Sequence, residues 1–241
     1  MISVRTKLYF STENLILQQF FVFTFPERHD KMCSYLYFSF LRGQTMDSNF
    51  FALISRMRYI ARWGLMRNAL PENIQEHSHM VAVLAHALGV IRRDIFHQPC
   101  DVNALATAAL YHDASEILTG DLPTPIKYHN AEIMSAYHAV EDLAVQKLLG
   151  MLPPELRATY AGVLAEDKNG DIYPLVKAAD KLSAYIKCIE ERKAGNNEFL
   201  SAEAQTRAAL EASPLPEVQY FLEHFIPAFE RDLDELGAIG Q

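Results

Sequence analysis

Ala108-Ala-Leu-Tyr-His-Asp-Ala-Ser-Glu-Ile-Leu-Thr-Gly-Asp121 is the stretch that decides the fold. In it an imidazole and a carboxylate, His112 and Asp113, stand side by side where an alanine-rich helical run is about to end. Adjacent ionisable groups are rarely buried in a helix unless something offsets their desolvation, and a divalent metal is the commonest such partner. Upstream lies Glu76-His77-Ser78, and downstream Ala178-Ala-Asp180 sits in another apolar run. Three separate helical segments thus offer two imidazoles and two carboxylates.

From Met46 onward almost everything reads as helix. Phe50, Phe51, Leu53, Ile54, Met57, Tyr59 and Ile60 form a broad apolar stripe at helical spacing. A turn around Leu70-Pro-Glu-Asn73 leads into a helix predicted over 74–93, with Met80, Val83, Leu84, Ala87, Leu88 and Ile91 as its apolar positions. Asp101 has the chemistry of an N-cap for a third helix, from Val102 to about Leu118, with Gly120 as its stop. Gly120-Asp-Leu-Pro-Thr-Pro125 follows, and two prolines so close together predict a loop. Further helices are predicted over 131–149, 154–166, 173–193, 198–212 and 217–236. This body shows neither strand pattern nor repeat, so the expected fold is a single all-α domain, a bundle of about seven to eight helices.

The formal charge of −8 over 241 residues argues against a nucleic-acid polymer as principal partner, because phosphate backbones demand basic patches. A small phosphate ester stays open, since one or two local cations or a metal suffice. No run of apolar residues is long enough to predict a membrane span. Cys33, Cys100 and Cys188 show no paired spacing, which predicts a reducing compartment with neither a disulfide framework nor a zinc–thiolate site.

The charge is uneven. Residues 1–45 carry +2 and ten of the 26 aromatics, whereas residues 46–241 carry −10. The first segment shows no clean helical period, no sustained strand alternation and no secretory-signal pattern. It reads either as translated sequence upstream of a start at Met46 or as an aromatic arm that docks on a partner or on the body. The abrupt change of composition at Met46 favours the first reading, so the expected division is an extension over 1–45 and a functional body over 46–241.

Two His and two carboxylates suit a divalent ion such as Mn, Co, Fe, Ni or Zn, and the absence of thiolates weakens a structural-zinc reading. On a continuous helix Glu116 would share a face with His112 and Asp113, placing a carboxylate beside the ion for proton transfer. Asp121 could act from the loop. Arg62-Trp63 pairs a guanidinium, which grips phosphate bidentately, with the chain's single indole, a flat wall for a sugar or base. Blander readings stand beside these: Asp180 as an ordinary salt-bridged carboxylate, and Arg62-Trp63 as a cation–π helix end. His79, His86, His97 and His224 read as surface or satisfied core residues. His129 and His138 read as solvated positions rather than ligands of a second metal.

His77, His112-Asp113 and Asp180, in that order, resemble the HD-domain superfamily of metal-dependent phosphohydrolases. A finer set is similar to the bacterial 5′-deoxynucleotidases of the YfbR type. It comprises Met46-Asp-Ser-Asn-Phe-Phe51, Arg62-Trp63, Glu76-His77-Ser78, Tyr111-His-Asp-Ala-Ser-Glu116, Thr119-Gly-Asp-Leu-Pro-Thr-Pro-Ile-Lys127, Leu182 to Glu191 and Ala194-Gly-Asn-Asn-Glu-Phe199. This likeness covers residues 46–241 and leaves 1–45 without a counterpart.

The resemblance implies an HD-domain bundle holding one divalent metal (Co, Mn or Cu ahead of Zn, Fe or Ni) on His77, His112, Asp113 and Asp180. It implies that Arg62 orients a 5′-phosphate, that Trp63 packs near the sugar and disfavours a 2′-hydroxyl, and that Glu116 and Asp121 take part in catalysis with Arg62. Asp121, Leu122, Pro123 and Thr124 would line the nucleotide, with His77, Asp113 and Asp180 bordering it. The expected reaction is hydrolysis of 2′-deoxyribonucleoside 5′-monophosphates with little base selectivity, by a cytoplasmic homodimer. Two other readings stay open. An HD phosphohydrolase for a deoxynucleoside triphosphate or an alarmone would need more cations than Arg62 with Arg67 or Lys127. A non-catalytic nucleotide-binding module would have no use for Glu116.

Overall fold

The computed structural model describes residues 4–7, 20–23, 48–127, 129–165 and 170–237. It divides into two units, Met1–Asp47 and Ser48–Gln241. In the first, β1 (Val4–Lys7) pairs antiparallel with β2 (Phe20–Phe23), Val4 opposite Phe23 and Lys7 opposite Phe20. The sequence reading assigned no strand here, although Phe and Val suit a pleated backbone. The rest of the aromatic-rich segment, with Cys33 and Met46, lies outside the described residues, as do Glu166 and the side chain of Thr124.

Among its described residues the regular elements of the second unit are helices, with one isolated bridge between Ala61 and Asn73. The first predicted helix is α1 (Phe50–Ile54), which tightens into a 3-10 turn over Ser55–Tyr59. The second is α2 (Ile74–Val90), whose Asn73 side chain caps the Gln75 and Glu76 N–H groups, followed by a π turn over Ile91–Ile95. The third opens as read, with Asp101 accepting from Ala104 N–H at 2.9 Å, but α3 (Val102–Tyr111) stops before His112. From there Ala114 N–H bonds to Tyr111 and Glu116 N–H to Asp113, so tight i→i−3 turns replace the helix until α4 (Glu116–Thr119). Gly120 ends α4 at φ +76°, as a stop requires.

The loop expected across the prolines contains a single turn, α5 (Thr124–Lys127), in which Pro125 sits in the first turn, where a missing N–H costs nothing. Then come α6 (Ala131–Gly150), α7 (Pro154–Leu164) and α8 (Tyr173–Lys193), the last with the predicted ends. A 3-10 turn over Asn197–Phe199 leads into α9 (Leu200–Glu211). The last predicted helix is cut short: α10 (Pro216–His224) gives way to a 3-10 turn over Ile226–Glu230. Pro227 is the cause, since its ring clashes with the carbonyl four residues back and it has no N–H to donate. Among the described residues no helix is long and apolar enough to cross a membrane.

Two apolar clusters hold this unit. In the first, Val81, Leu84, Ala85 and Leu88 of α2 pack with Leu105 and Ala109 of α3 and with Leu175, Ala179, Leu182 and Ile186 of α8. Gly89 permits the close approach of α2 to α3, because a Cβ there would lie 2.9 Å from Leu105 Cδ2. The second gathers Phe50, Ala114, Leu148, Leu149, Leu152 and Leu164. Each fully buried Leu contributes roughly 1.5–3 kcal/mol. Ala109 belongs to one cluster and Ala114 to the other, so His112-Asp113 is held at the seam between them.

The segment between α1 and α2 folds back on itself, with Arg62 N–H on Glu72 O at 3.0 Å and Ile74 N–H on Ile60 O at 3.0 Å. A buried carboxylate on α8 anchors it. Glu191 accepts from Ala69 N–H at 2.8 Å, Leu70 N–H at 3.0 Å and Asn196 Nδ2 at 2.8 Å, and pairs with Lys187, which also donates to Leu70 O. Burial alone would raise the Glu191 carboxyl, yet these donors hold it at about 2. A carboxyl depressed from 4.5 contributes stability that is complete above 4.5 and is lost as pH falls toward about 2. Glu191→Gln should therefore cost about 3 kcal/mol at neutral pH, in the range for breaking a buried pair. Urea midpoints should show the gap to the unsubstituted chain closing between pH 4.5 and about 2; a gap independent of pH would remove this role.

Candidate functional site

His77 enters the site from the first turn of α2 with its ring wholly buried. Its Nδ1 meets Ser183 Oγ of α8 at 3.1 Å, and its Nε2 lies 3.0 Å from Asp180 Oδ1 and 3.5 Å from Asp113 Oδ2. His112 sits in the turn after α3 with its side chain 1% exposed, its Nδ1 2.7 Å from the Ala109 carbonyl and its Nε2 3.1 Å from Asp113 Oδ2. A carbonyl can only accept, so Nδ1 carries the proton and a neutral ring presents its lone pair at Nε2.

Both Nε2 atoms are buried without a hydrogen-bond partner among the described residues. Lone pairs facing carboxylate oxygens at this range repel one another unless a cation lies between them. His77, His112 and Asp180 each present a ligand atom within 4.8 Å of the others, and Asp113 Oδ2 faces both rings. Such separations fit adjacent ligands of one ion with bonds of about 2.0–2.2 Å. Protonated rings in place of an ion would likewise keep the carboxylates ionised. Burial would raise the Asp113 carboxyl, but His112, His77 and Arg62 hold it well below the usual range. Burial likewise opposes ionised Asp180, and His77 and His112 hold it low. Asp180 remains one-third exposed, which opens the cluster to solvent on that side.

Arg62 and Trp63 stand on the folded-back loop, not at a helix end, which removes the cation–π helix-end reading. Arg62 donates from Nε to Glu72 Oε2 at 3.1 Å and from Nη1 to Asp113 Oδ2 at 3.2 Å. Burial works against its charge, but Asp113, Asp180, Glu72 and Asp121 more than compensate and keep it cationic. Trp63 adopts φ +58°, a left-handed conformation that strains a bulky residue. Its Nε1 donates to the same Glu72 Oε2 at 3.1 Å, and its ring lies 5.2 Å from that of Phe199. Arg67 is engaged elsewhere, on the surface with Glu198 at 2.9 Å.

Glu116 does not share a continuous helix with His112 and Asp113, as the spacing suggested. The i→i−3 turn, with Glu116 N–H on Asp113 O at 3.0 Å, brings it in instead. Its carboxyl is buried, with Oε2 lacking a hydrogen-bond partner among the described residues. Burial, with Asp113 and Asp121 adding to it against Arg62 and Lys127, pushes that carboxyl up to about 10. Burial also raises Asp121, an effect that Arg62 and the Trp63 backbone N–H oppose. Leu122 and Pro123 are half-buried in the loop, and Thr124 opens α5. His79, His86, His97, His129 and His224 are exposed, and His138 pairs with Glu141 at 2.9 Å outside the cluster.

Glu72 and Ser183 were missed by the sequence reading. Ser183 carried a usable signal, since it follows Asp180 by three residues on α8 and so shares its face. Glu72, in an irregular turn, carried none.

This helical architecture, with imidazoles and carboxylates converging at its centre, is that of the HD-domain phosphohydrolases. The chain belongs to the 5′-deoxynucleotidase YfbR-like family, whose model matches residues 49–229. It is 50% identical over 192 residues to the 5′-deoxynucleotidase YfbR of Shigella boydii, a match covering 79% of this chain and 96% of the relative. The Escherichia coli K12 protein of the same name gives the same figures, 50% over 192 residues with 79% and 96% covered. The fold is also that of an HD-domain phosphohydrolase from Listeria innocua, with TM-score 0.68, 24% identity, and 77% of this chain and 90% of that one covered.

Metal binding should be visible without any substrate. A divalent ion added at about 100 times its dissociation constant should stabilise the chain by about 2.7 kcal/mol, read as a rise in melting temperature. His112→Ala and Asp180→Ala should each abolish the rise; an undiminished rise in both would place the ion elsewhere.

Proposed function

We propose that this chain is a metal-dependent phosphoric monoester hydrolase that cleaves 2′-deoxyribonucleoside 5′-monophosphates to deoxynucleoside and phosphate, with little preference for the base. The observation that carries this reading is the position of Asp113 Oδ2, which faces both imidazoles and also accepts from Arg62 at 3.2 Å. A phosphate drawn to the cluster is thereby within reach of a guanidinium. The activity named for relatives at 50% identity supports the substrate class.

His77, His112, Asp113 and Asp180 would hold one divalent ion. Family likeness favours cobalt, manganese or copper, and the imidazole–carboxylate donors also suit zinc, iron or nickel. When bound, the ion supplies a Lewis acid for a phosphoryl oxygen and lowers the pKa of a water. Arg62 neutralises and orients the phosphate. Glu116, buried beside the proposed ligand Asp113, is placed to exchange a proton with the reacting group. Asp121 shares this proton traffic from the loop. Trp63 walls the sugar, and exclusion by shape alone would discriminate by roughly 1–3 kcal/mol. An unpartnered 2′-hydroxyl buried against the indole would add to that.

Leu122, Pro123 and Thr124 complete the nucleoside side, and His77, Asp113 and Asp180 border the phosphate. The catalytic body is residues 46–241, with 1–45 outside it. By family likeness the enzyme works as a cytoplasmic homodimer on a free nucleotide. A net charge of −8 is consistent with a small ligand rather than a nucleic-acid polymer.

Phosphate release measured on dAMP, AMP and dATP, across several divalent ions, should favour dAMP by about tenfold or more. Faster turnover of dATP would point to a triphosphate substrate instead. Glu116→Ala should lower kcat by roughly 10²–10⁴ while metal affinity holds; full activity in that variant would take Glu116 out of the mechanism.

A further inference from the structure

One oxygen joins the two residues proposed to read the phosphate and the sugar. Glu72 Oε2 accepts from Arg62 Nε at 3.1 Å and from Trp63 Nε1 at 3.1 Å. Both groups are donors only, so one acceptor placed between them can hold both. Glu72 is that acceptor, and its side chain is 15% exposed.

Each donor has one further restraint. Arg62 is fixed at Nη1 by Asp113 Oδ2 at 3.2 Å, so Glu72 and Asp113 together set the guanidinium plane. Trp63 rests against Phe199, with ring centres 5.2 Å apart and planes inclined at 58°. Its backbone at φ +58° is a conformation that a large side chain does not choose unaided. Glu72 holds the polar end of the indole.

We infer that Glu72 is a specificity-determining positioning residue, which sets the Trp63 indole and the Arg62 guanidinium in register so that sugar exclusion and phosphate binding operate on the same substrate. This rests on the deoxynucleotidase reading. Exclusion of one hydroxyl is a matter of ångströms, and a wall free to move that far no longer excludes. The backbone of the loop is secured separately, by Arg62 N–H on Glu72 O at 3.0 Å and by Glu191 on Ala69 and Leu70. Removing the Glu72 side chain therefore releases the two readers without removing the loop.

The test uses the full chain, metal-loaded, with Glu72→Ala and Glu72→Gln. Trp63 is the only tryptophan, so its emission reports the indole without interference. Glu72→Ala should lower the anisotropy of Trp63 and raise its quenching by acrylamide. The ratio of kcat/KM for dAMP over AMP should fall about tenfold, chiefly through a higher KM for dAMP and better use of AMP. Glu72→Gln keeps an oxygen for the indole but loses the charge facing Arg62. It should retain most of the anisotropy and much of the selectivity while raising KM for both nucleotides. Should the alanine variant fail to fold, the glutamine variant decides: a raised KM with selectivity largely kept supports the assignment, and kinetics identical to the unsubstituted chain overturn it. Unchanged quenching and an unchanged dAMP/AMP ratio in Glu72→Ala also overturn it. An unsubstituted chain with no preference for dAMP would instead sink the deoxynucleotidase reading, while the fluorescence would still report whether Glu72 holds the indole.

Discussion

A buried imidazole whose one nitrogen is already committed to the backbone has a single lone pair left to offer. His112 is in that position, its Nδ1 held by the Ala109 carbonyl at 2.7 Å, and it aims Nε2 at Asp113. His77, anchored through Ser183, aims its Nε2 at Asp180 and Asp113. The concentration of lone pairs and negative oxygens in an apolar bundle would be costly without a cation to compensate. α2, α3 and α8 meet around this one point, and Arg62 of the folded-back loop reaches it through Asp113.

Packing supplies the means. The apolar cluster shared by α2, α3 and α8 brings His77, His112 and Asp180 within reach of one another, and the close approach at Gly89 lets α2 and α3 do so tightly. Ending α3 at Tyr111 is what lets adjacent residues serve one site. On a regular helix neighbours point about 100° apart, whereas the i→i−3 turns after Tyr111 let His112, Asp113 and Glu116 all reach it. Glu191, on the same helix as Asp180, then ties the loop carrying Arg62 and Trp63 to the metal-ligand scaffold. Arg62, proposed to read the phosphate, and the candidate metal cluster thus share one frame.

Much of this was legible in the residues. The unlikelihood of burying His112 beside Asp113 marked the centre, and apolar periodicity with Asp101 and Gly120 as end signals marked most helices. What escaped was decided by tertiary geometry. Nothing local distinguishes the break after Tyr111 from a continuing helix, because alanine and leucine favour helix on both sides. Pro227, inside the predicted 217–236 helix, is itself a readable breaker. Glu72 gave no motif and Glu191 only closed the family-like run Leu182 to Glu191: the role of each depends on the loop folding back and bringing its donors to it. The β1–β2 pairing depends on partners more than ten residues apart, in a segment without clear alternation.

The most direct test of the central claim is an anomalous difference map from crystals of the full chain grown or soaked with cobalt(II). One strong peak at coordinating distance from His77 Nε2, His112 Nε2, Asp113 and Asp180 is expected, and it should vanish in His112→Ala crystals. A peak held by other residues, or no peak with the four side chains ordered as described, would contradict the account.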